Sequence, residues 1–278
     1  MNSTIQDVEK QPRKSVSTQK ILTKSATIWF ILAVIGQWIF AFYVVLFYGK
    51  TTLKGDFAAW NKVLPHGYVP GETVGNIVVG SHLLFAVIML VGAPLQMMPQ
   101  IRTRFRKFHY WNGRVYFATA FILSFGGLYM VWTRGVIGGW VANISMTINA
   151  GLIILCTLMA WKYAVSRKIK LHQQWAIRLF LVASGVWFFR IGLMAWLIAN
   201  GSPVGFNPKT LQGPFITVLY LVQNFLPLLI YQLYLYTKRQ QNQAISVIAM
   251  AMFVLTILVT GLGIFAATMG MWLPRIFS

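Results

Sequence analysis

The sequence predicts an all-α integral membrane protein, built as a bundle of seven transmembrane helices. Of the 278 residues, 57% are hydrophobic and only 10% are charged. A soluble protein of this composition would expose large apolar areas to water. Apolar stretches long enough to cross a hydrocarbon core of about 30 Å recur along the chain, and clusters of Lys and Arg separate them.

Seven apolar stretches reach the length of roughly 20 residues that a membrane-spanning helix needs. They lie at about 27–48, 74–97, 113–133, 141–163, 175–199, 214–236 and 244–270. Each is predicted to be helical because backbone polar groups in lipid must pair within the segment. Residues 26–278 are therefore predicted to form a single transmembrane domain. Residues 1–25 are polar and basic, and we predict a disordered cytoplasmic tail.

Lys and Arg are unequally divided between the two sides of the predicted bundle. The tail and the connections on its side carry 15 of these residues, and the connections on the other side carry 6. Because cytoplasmic loops carry the excess of Lys and Arg, the N-terminus is predicted to be cytoplasmic and the C-terminus outside. The cations lie between apolar runs, so anionic lipid headgroups rather than nucleic acid are the expected partner of the net charge of +20.

Two connections on the basic side resemble each other. RTRFRKFHYWNGR ends at Arg114, and SRKIKLHQQWAIR ends at Arg178; their histidines, His109 and His172, are 63 residues apart. This weak repeat indicates two related hairpins, helices 2–3 and 4–5, which together form a four-helix core. Interfacial anchoring explains the same pattern, because Arg, Lys, Trp and Tyr favour the membrane surface wherever a chain enters it.

Helical spacing predicts which faces of these four helices meet. Small and polar residues share a face with each histidine, as small residues do where helices pack closely. His82 and Gln96 lie on such a face of helix 2, and His109 and Tyr116 on such a face of helix 3. On helix 5 the face of His172 continues to Arg190. An ionisable residue inside a span indicates a functional site, since burial in lipid is costly.

We expect two sites from these positions. The one nearer the outside contains His82 and Arg190, and the inner one contains His109, His172, Arg114 and Arg178. No acidic residue lies well inside a span, because the only acids are Asp7, Glu9, Asp56 and Glu72. An anionic ligand, backbone carbonyls or water must therefore satisfy Arg190.

His82 and three short motifs together resemble the bacterial family of predicted membrane proteins labelled domain of unknown function 2306. The motifs are GAPLQ at 92–96, HYWNGRVY at 109–116 and HQQWAIR at 172–178. The resemblance covers about residues 75–200. It implies the helical membrane fold and a place in the bacterial cytoplasmic (inner) membrane, but no activity.

Several chemistries fit the predicted faces. Haem b could be ligated by His109 and His172, with arginines holding the propionates, in membrane electron transfer. A quinone or an anionic ligand such as a lipid headgroup would also suit His and Arg donors around a small-residue cleft. The predicted binding residues are His82, Gln96, His109, Arg114, Tyr116, His172, Arg178 and Arg190.

A protein that is not an enzyme is the alternative. It would be an anion or lipid carrier, or a helix-packing partner whose His and Arg side chains serve as interfacial anchors. Motifs for hydrolytic chemistry, such as H-E-x-x-H, G-x-S-x-G or a P-loop, do not occur in the sequence. The last two helices are expected to act by packing, with Gly263 and Ala267 at a spacing that lets helices approach closely.

Overall fold

The computed structural model describes residues 15–240 and 242–277, which are almost entirely helical. The helices are α1 (Ser15–Leu53), α2 (Thr73–Met97), α3 (Pro99–Arg104), α4 (Arg106–Thr133), α5 (Gly139–Val165), α6 (Ile169–Ala183), α7 (Gly185–Asn200), α8 (Pro214–Gln240), α9 (Gln243–Ala267) and α10 (Leu273–Phe277). A 3-10 helix at Phe57–Lys62 follows α1, and a π-helical segment at Thr268–Trp272 joins α9 to α10. No strand occurs within the described ranges.

The predicted number of spans agrees with the structure. Six helices, including the continuous run from α9 to α10, are long and apolar enough to cross a membrane, and the bent pair α6–α7 makes a seventh if it is counted as one span. We call the end of the bundle that carries α3 the basic end. The opposite end, which carries the 3-10 helix and the connection at 201–213, is called the loop end.

Six helices form a closed ring, and α6–α7 lies inside it. Each helix packs on the next in the order α1, α2, α4, α5, α8 and α9, and α9 packs back on α1. The four consecutive residues 179–182 of α6 are all buried, as expected where a helix is covered on every side. The predicted core of helices 2–5 corresponds to α2, α4, α5 and α6–α7, which pack in that order.

The fifth span is broken, although the sequence predicts one continuous helix over 175–199. α6 and α7 meet at Ser184 with a bend of 51°. Gln37 of α1 donates a hydrogen bond to Ser184 Oγ at 2.8 Å, and Asn149 of α5 donates to the Val182 carbonyl at 2.9 Å. A side chain of α5 therefore pairs with a backbone carbonyl at the break, and Gln37 joins α1 to the break through the Ser184 hydroxyl. Lipid could supply neither hydrogen bond.

The break also belongs to a buried polar network that joins α5 to α8. Asn149 donates to Asn224 Oδ1 at 2.9 Å, and Asn224 donates to Ser145 Oγ at 2.9 Å. Ser145 in turn donates to the Tyr220 carbonyl at 2.8 Å. Because these groups satisfy one another, the network holds the centre of the bundle without any buried charge.

The predicted tail at 1–25 needs a correction. Residues 1–14 lie outside the described part of the chain, but residues 15–25 are helical rather than disordered. Leu22 is fully buried in a cluster with Ala249 and Phe253, and Gln19 donates to the Thr237 carbonyl at 3.0 Å. These contacts with α8 and α9 stabilise the part of α1 that precedes the apolar stretch at about 27–48.

Candidate functional site

A cavity of about 610 Å³ lies inside the bundle, beside the break in the fifth span. It begins at the loop end, between the connection at 62–66 and residues 134–137 after α4, and extends as far as Ala93 and Tyr116. Residues of α1, α2, α4, α5, α6 and α7 form most of its wall, and Tyr220 of α8, Met271 and Arg275 also contribute. The volume is in the range of cavities that enclose a small-molecule ligand.

The predicted inward faces of helices 2 and 3 form much of this wall. Val79, His82, Ala86, Met89 and Ala93 contribute from α2, four residues or fewer apart. Four residues of the predicted face of α4 do the same: Tyr116, Ala120, Leu123 and Gly127. α5 contributes Met146, Asn149, Ala150 and Ile153 to the wall.

Five buried polar atoms on the wall have no hydrogen-bond partner among the described residues. They are Tyr43 Oη, His82 Nδ1, Arg134 Nε, Trp187 Nε1 and Arg190 Nε. Buried polar groups in folded proteins are normally hydrogen-bonded, and each exception needs an explanation. Each of these five atoms can donate a hydrogen bond.

Arg190 places a permanent positive charge on the wall of this cavity. Its guanidinium lies over the Phe40 ring, 5.4 Å from the ring centroid, and none of the described residues forms a salt bridge with it. The other ionisable side chains on the wall that carry or can carry positive charge are Lys62, His66, His82, Arg134 and Arg275. No described residue of the wall is Asp or Glu, so the cavity is electropositive.

Arg134 closes the wall at the loop end, a role that the sequence analysis did not assign. Its guanidinium donates to the His66 carbonyl at 2.8 Å, the Gly67 carbonyl at 3.0 Å and Asn76 Oδ1 at 2.9 Å. It also forms a salt bridge of 3.1 Å with Glu72. Arg134 thus ties the connection between α1 and α2 to the end of α4. Glu72 is one of two acids in that connection. Its presence in the sequence could have suggested a partner for Arg134.

α1 also contributes residues that the predicted four-helix site omitted. Gln37 and Tyr43 line the cavity, although α1 lies outside the predicted core. Gln37 is the one amide side chain in the first apolar stretch, and a buried amide in a span is a signal that can be read from sequence.

Two motifs of the resemblance form a reciprocal clamp at the basic end of α2 and α4. Gln96 donates to the His109 carbonyl at 2.9 Å, and Asn112 donates to the Gly92 carbonyl at 3.1 Å. A Cβ added to Gly92 would lie 3.2 Å from Asn112 Oδ1, so the glycine allows the close approach. Gln96 therefore has a packing role, and it lies outside the cavity.

The two histidines of the repeat also lie outside the cavity. His172 Nδ1 is 3.0 Å from the Ala160 carbonyl and joins α5 to α6, while His109 Nδ1 has no partner among the described residues. The bond at Nδ1 leaves His172 Nε2 available as a ligand atom, as in many metal-binding histidines. Haem ligation by this pair stays a prediction, which a reduced-minus-oxidised spectrum lacking haem bands would overturn.

The surroundings of Arg114 and Arg178 differ from those predicted for the inner site. Arg114 is exposed and lies over the Tyr110 ring, 3.8 Å from its centroid. Arg178 lies over the Trp175 ring at 4.9 Å and donates to Gln232 Oε1 at 3.2 Å. Both near-surface arginines pair with aromatic rings at the basic end, which fits the interfacial anchoring that the sequence left open.

The fold and the cavity define a helical membrane protein with a broken central span and an electropositive, largely apolar cavity beside the break. The family model described as "Predicted membrane protein (DUF2306)" matches residues 79–226, and the chain belongs to this family. The match begins in the second turn of α2 and ends in α8, so it includes most of the cavity wall. No curated protein and no solved structure matches the chain.

Proposed function

We propose that this protein binds an anionic amphiphile in the cavity, with the acidic group at Arg190. The observation that carries the proposal is a guanidinium on the wall of a cavity that has no described acid. Leaving such a cation unpaired within a membrane is costly, and a ligand acid would offset that cost. Tyr43, His82 and Trp187 supply further unpaired polar groups on the same wall.

The apolar part of the ligand is supported by the rest of the wall. Most residues between the break and Ala93 are aliphatic or aromatic, including Met89, Leu123 and Ile153. An ion without an apolar group would leave this surface in contact with water. A packing role alone does not account for the cavity, because helices that only pack would fill the space with side chains.

The charge preference of binding tests this proposal. The purified protein in neutral-lipid nanodiscs is heated with an alkyl carboxylate or with the alcohol of equal chain length. We expect the carboxylate to raise the unfolding temperature, because a ligand at about 100 times its Kd stabilises the folded state by about 2.7 kcal/mol. The alcohol should have a much smaller effect.

Arg190→Met should remove most of this preference, whereas Arg114→Met should keep it because Arg114 is exposed at the basic end. An equal response of the wild-type protein to the alcohol and the carboxylate would contradict the proposal. A neutral quinone that stabilises the protein, while the carboxylate does not, would favour the quinone site instead.

We further propose that the protein lies in the bacterial cytoplasmic membrane, with the basic end facing the cytoplasm and contacting anionic headgroups. Arg102, Arg104, Arg106 and Lys107 are exposed beside the exposed ring of Trp111, as in an interfacial belt. The one native cysteine, Cys156, is buried, so an introduced cysteine can report the orientation.

In intact cells, an impermeant maleimide should label Ser202→Cys at the loop end and spare Ser166→Cys at the basic end. Both side chains are exposed. The reverse labelling pattern would overturn the proposed orientation.

A further inference from the structure

We infer that the ligand is a single-chain monoanion, bound with its tail toward the basic end and its acidic group toward the loop end. A long-chain carboxylate is the simplest molecule of this class. The inference rests on the proposed function and adds the orientation, the number of chains and the charge of the ligand.

The orientation follows from the polarity of the wall along the bundle axis. Lys62, His66 and Arg134 line the loop end of the cavity, and His82 and the cationic Arg190 lie deeper. Beyond them toward the basic end, the wall is mainly apolar, and its members are Met89, Leu90, Ala93, Ala120, Ala150, Ile153 and Phe180. A tail in this apolar part would place the acid beside the cations.

The apolar part of the cavity extends over the same number of residues on α2 and on α4. Ala93 follows His82 by 11 residues on α2, and Gly127 follows Tyr116 by 11 residues on α4. His82 lies beside Gly127, since a Cβ added to that glycine would be 3.6 Å from the His82 ring. At the rise of an α-helix, both intervals correspond to roughly 16 Å of depth beyond His82.

The basic end of this space is closed. Ala93 and Tyr116, at the end of the cavity, are both buried, and the clamp at the basic end joins α2 to α4 just beyond them. A ligand tail therefore meets a floor rather than an exit, so the affinity should depend on chain length and reach a limit.

The cations on the wall indicate the charge of the ligand, and the cavity volume indicates how many chains the ligand has. Arg134 already forms a salt bridge with Glu72, and Arg275 has an interaction of its own, so Arg190 is the guanidinium that a deeply bound acid would neutralise. A second negative charge at that depth would be buried without a partner, at a high cost. A cavity of about 610 Å³ suits a drug-sized molecule rather than a two-chain phospholipid.

A chain-length series with a shortened cavity tests the inference. The affinity of saturated carboxylates for the protein in neutral-lipid nanodiscs should rise with chain length and then fall. Ala120→Leu fills the apolar part and should move the limit to shorter chains, while the affinity for short carboxylates stays within about twofold. Ala118→Leu on the exposed side of the same helix is the matched control and should leave the limit unchanged.

If Ala120→Leu leaves the chain-length limit of carboxylate binding unchanged, the proposed orientation is overturned, even if Arg190→Met still removes the charge preference. Should Ala120→Leu fail to fold, Ala93→Val supplies the same comparison. Photolabelling of the wild-type protein is independent of both variants. A carboxylate with a diazirine at its tail should label residues near Tyr116 and Ile153, and labelling near His66 instead would contradict the inference.

Discussion

Gly263→Ala is expected to destabilise the protein by about 1–3 kcal/mol, the usual cost of overpacking a closely packed interior. Gly263 lies on α9, where that helix meets α7. An added Cβ would collide with the Ile191 carbonyl oxygen, which belongs to the backbone and cannot rotate away. Helix α7 would have to move, and Arg190 would move with it, so carboxylate binding should weaken as well.

Gly261→Ala on the same helix is the control for this prediction. A Cβ there would meet only the Leu32 side chain, at 3.8 Å, which is an ordinary contact. Since alanine is the better helix former, this variant should be neutral or more stable by up to about 1 kcal/mol. Unfolding temperatures in a mild detergent separate the two outcomes. Equal stability of the two variants would contradict the close approach of α9 to α7.

Arg134→Met is expected to destabilise the protein by about 3 kcal/mol, because it removes several hydrogen bonds from a buried guanidinium, and one hydrogen bond to a charged group contributes about 1.5–3 kcal/mol. The Arg134 side chain is only 5% exposed and reaches four acceptors in the connection and in α2. Its removal leaves the His66 and Gly67 carbonyls without this donor. Glu72 is 57% exposed and can be hydrated again, which moderates the loss.

Two further variants separate the guanidinium from the salt bridge. Glu72→Gln should cost less than about 1 kcal/mol, because an exposed pair contributes little. Arg134→Lys should recover only part of the lost stability, since an ammonium lacks the planar set of donors that reaches four acceptors. Protease cleavage in the connection between α1 and α2 should increase in Arg134→Met. A cleavage rate equal to that of the wild-type protein would show that Arg134 does not hold this connection.

Part of the candidate site could be predicted from the sequence, because it depends on helical periodicity. The faces of His82 and Arg190 follow from spacing along single helices, and both residues line the cavity. Helical spacing also assigned Gln96 to the face of His82, and the repeated basic motif assigned Arg114 to the inner site, but the structure gives both residues local partners. Gln96 bonds to a backbone carbonyl on α4, and Arg114 stacks on Tyr110. Near a helix end, long side chains can turn either way, so periodicity does not determine their contacts.

The sequence by itself determined the membrane class, the number of spans and the faces that α2 and α4 present to the interior. The class and the number of spans can be predicted because lipid requires backbone pairing within each span. A sufficiently long apolar run therefore indicates a spanning helix. The tertiary structure decided the break in the fifth span and therefore the cavity beside it. The partners at the break, Gln37 and Asn149, are 147 residues from Ser184 and 33 residues from Val182 along the chain. Hydrogen bonds between residues so far apart in sequence depend on how the helices pack, which no local pattern records.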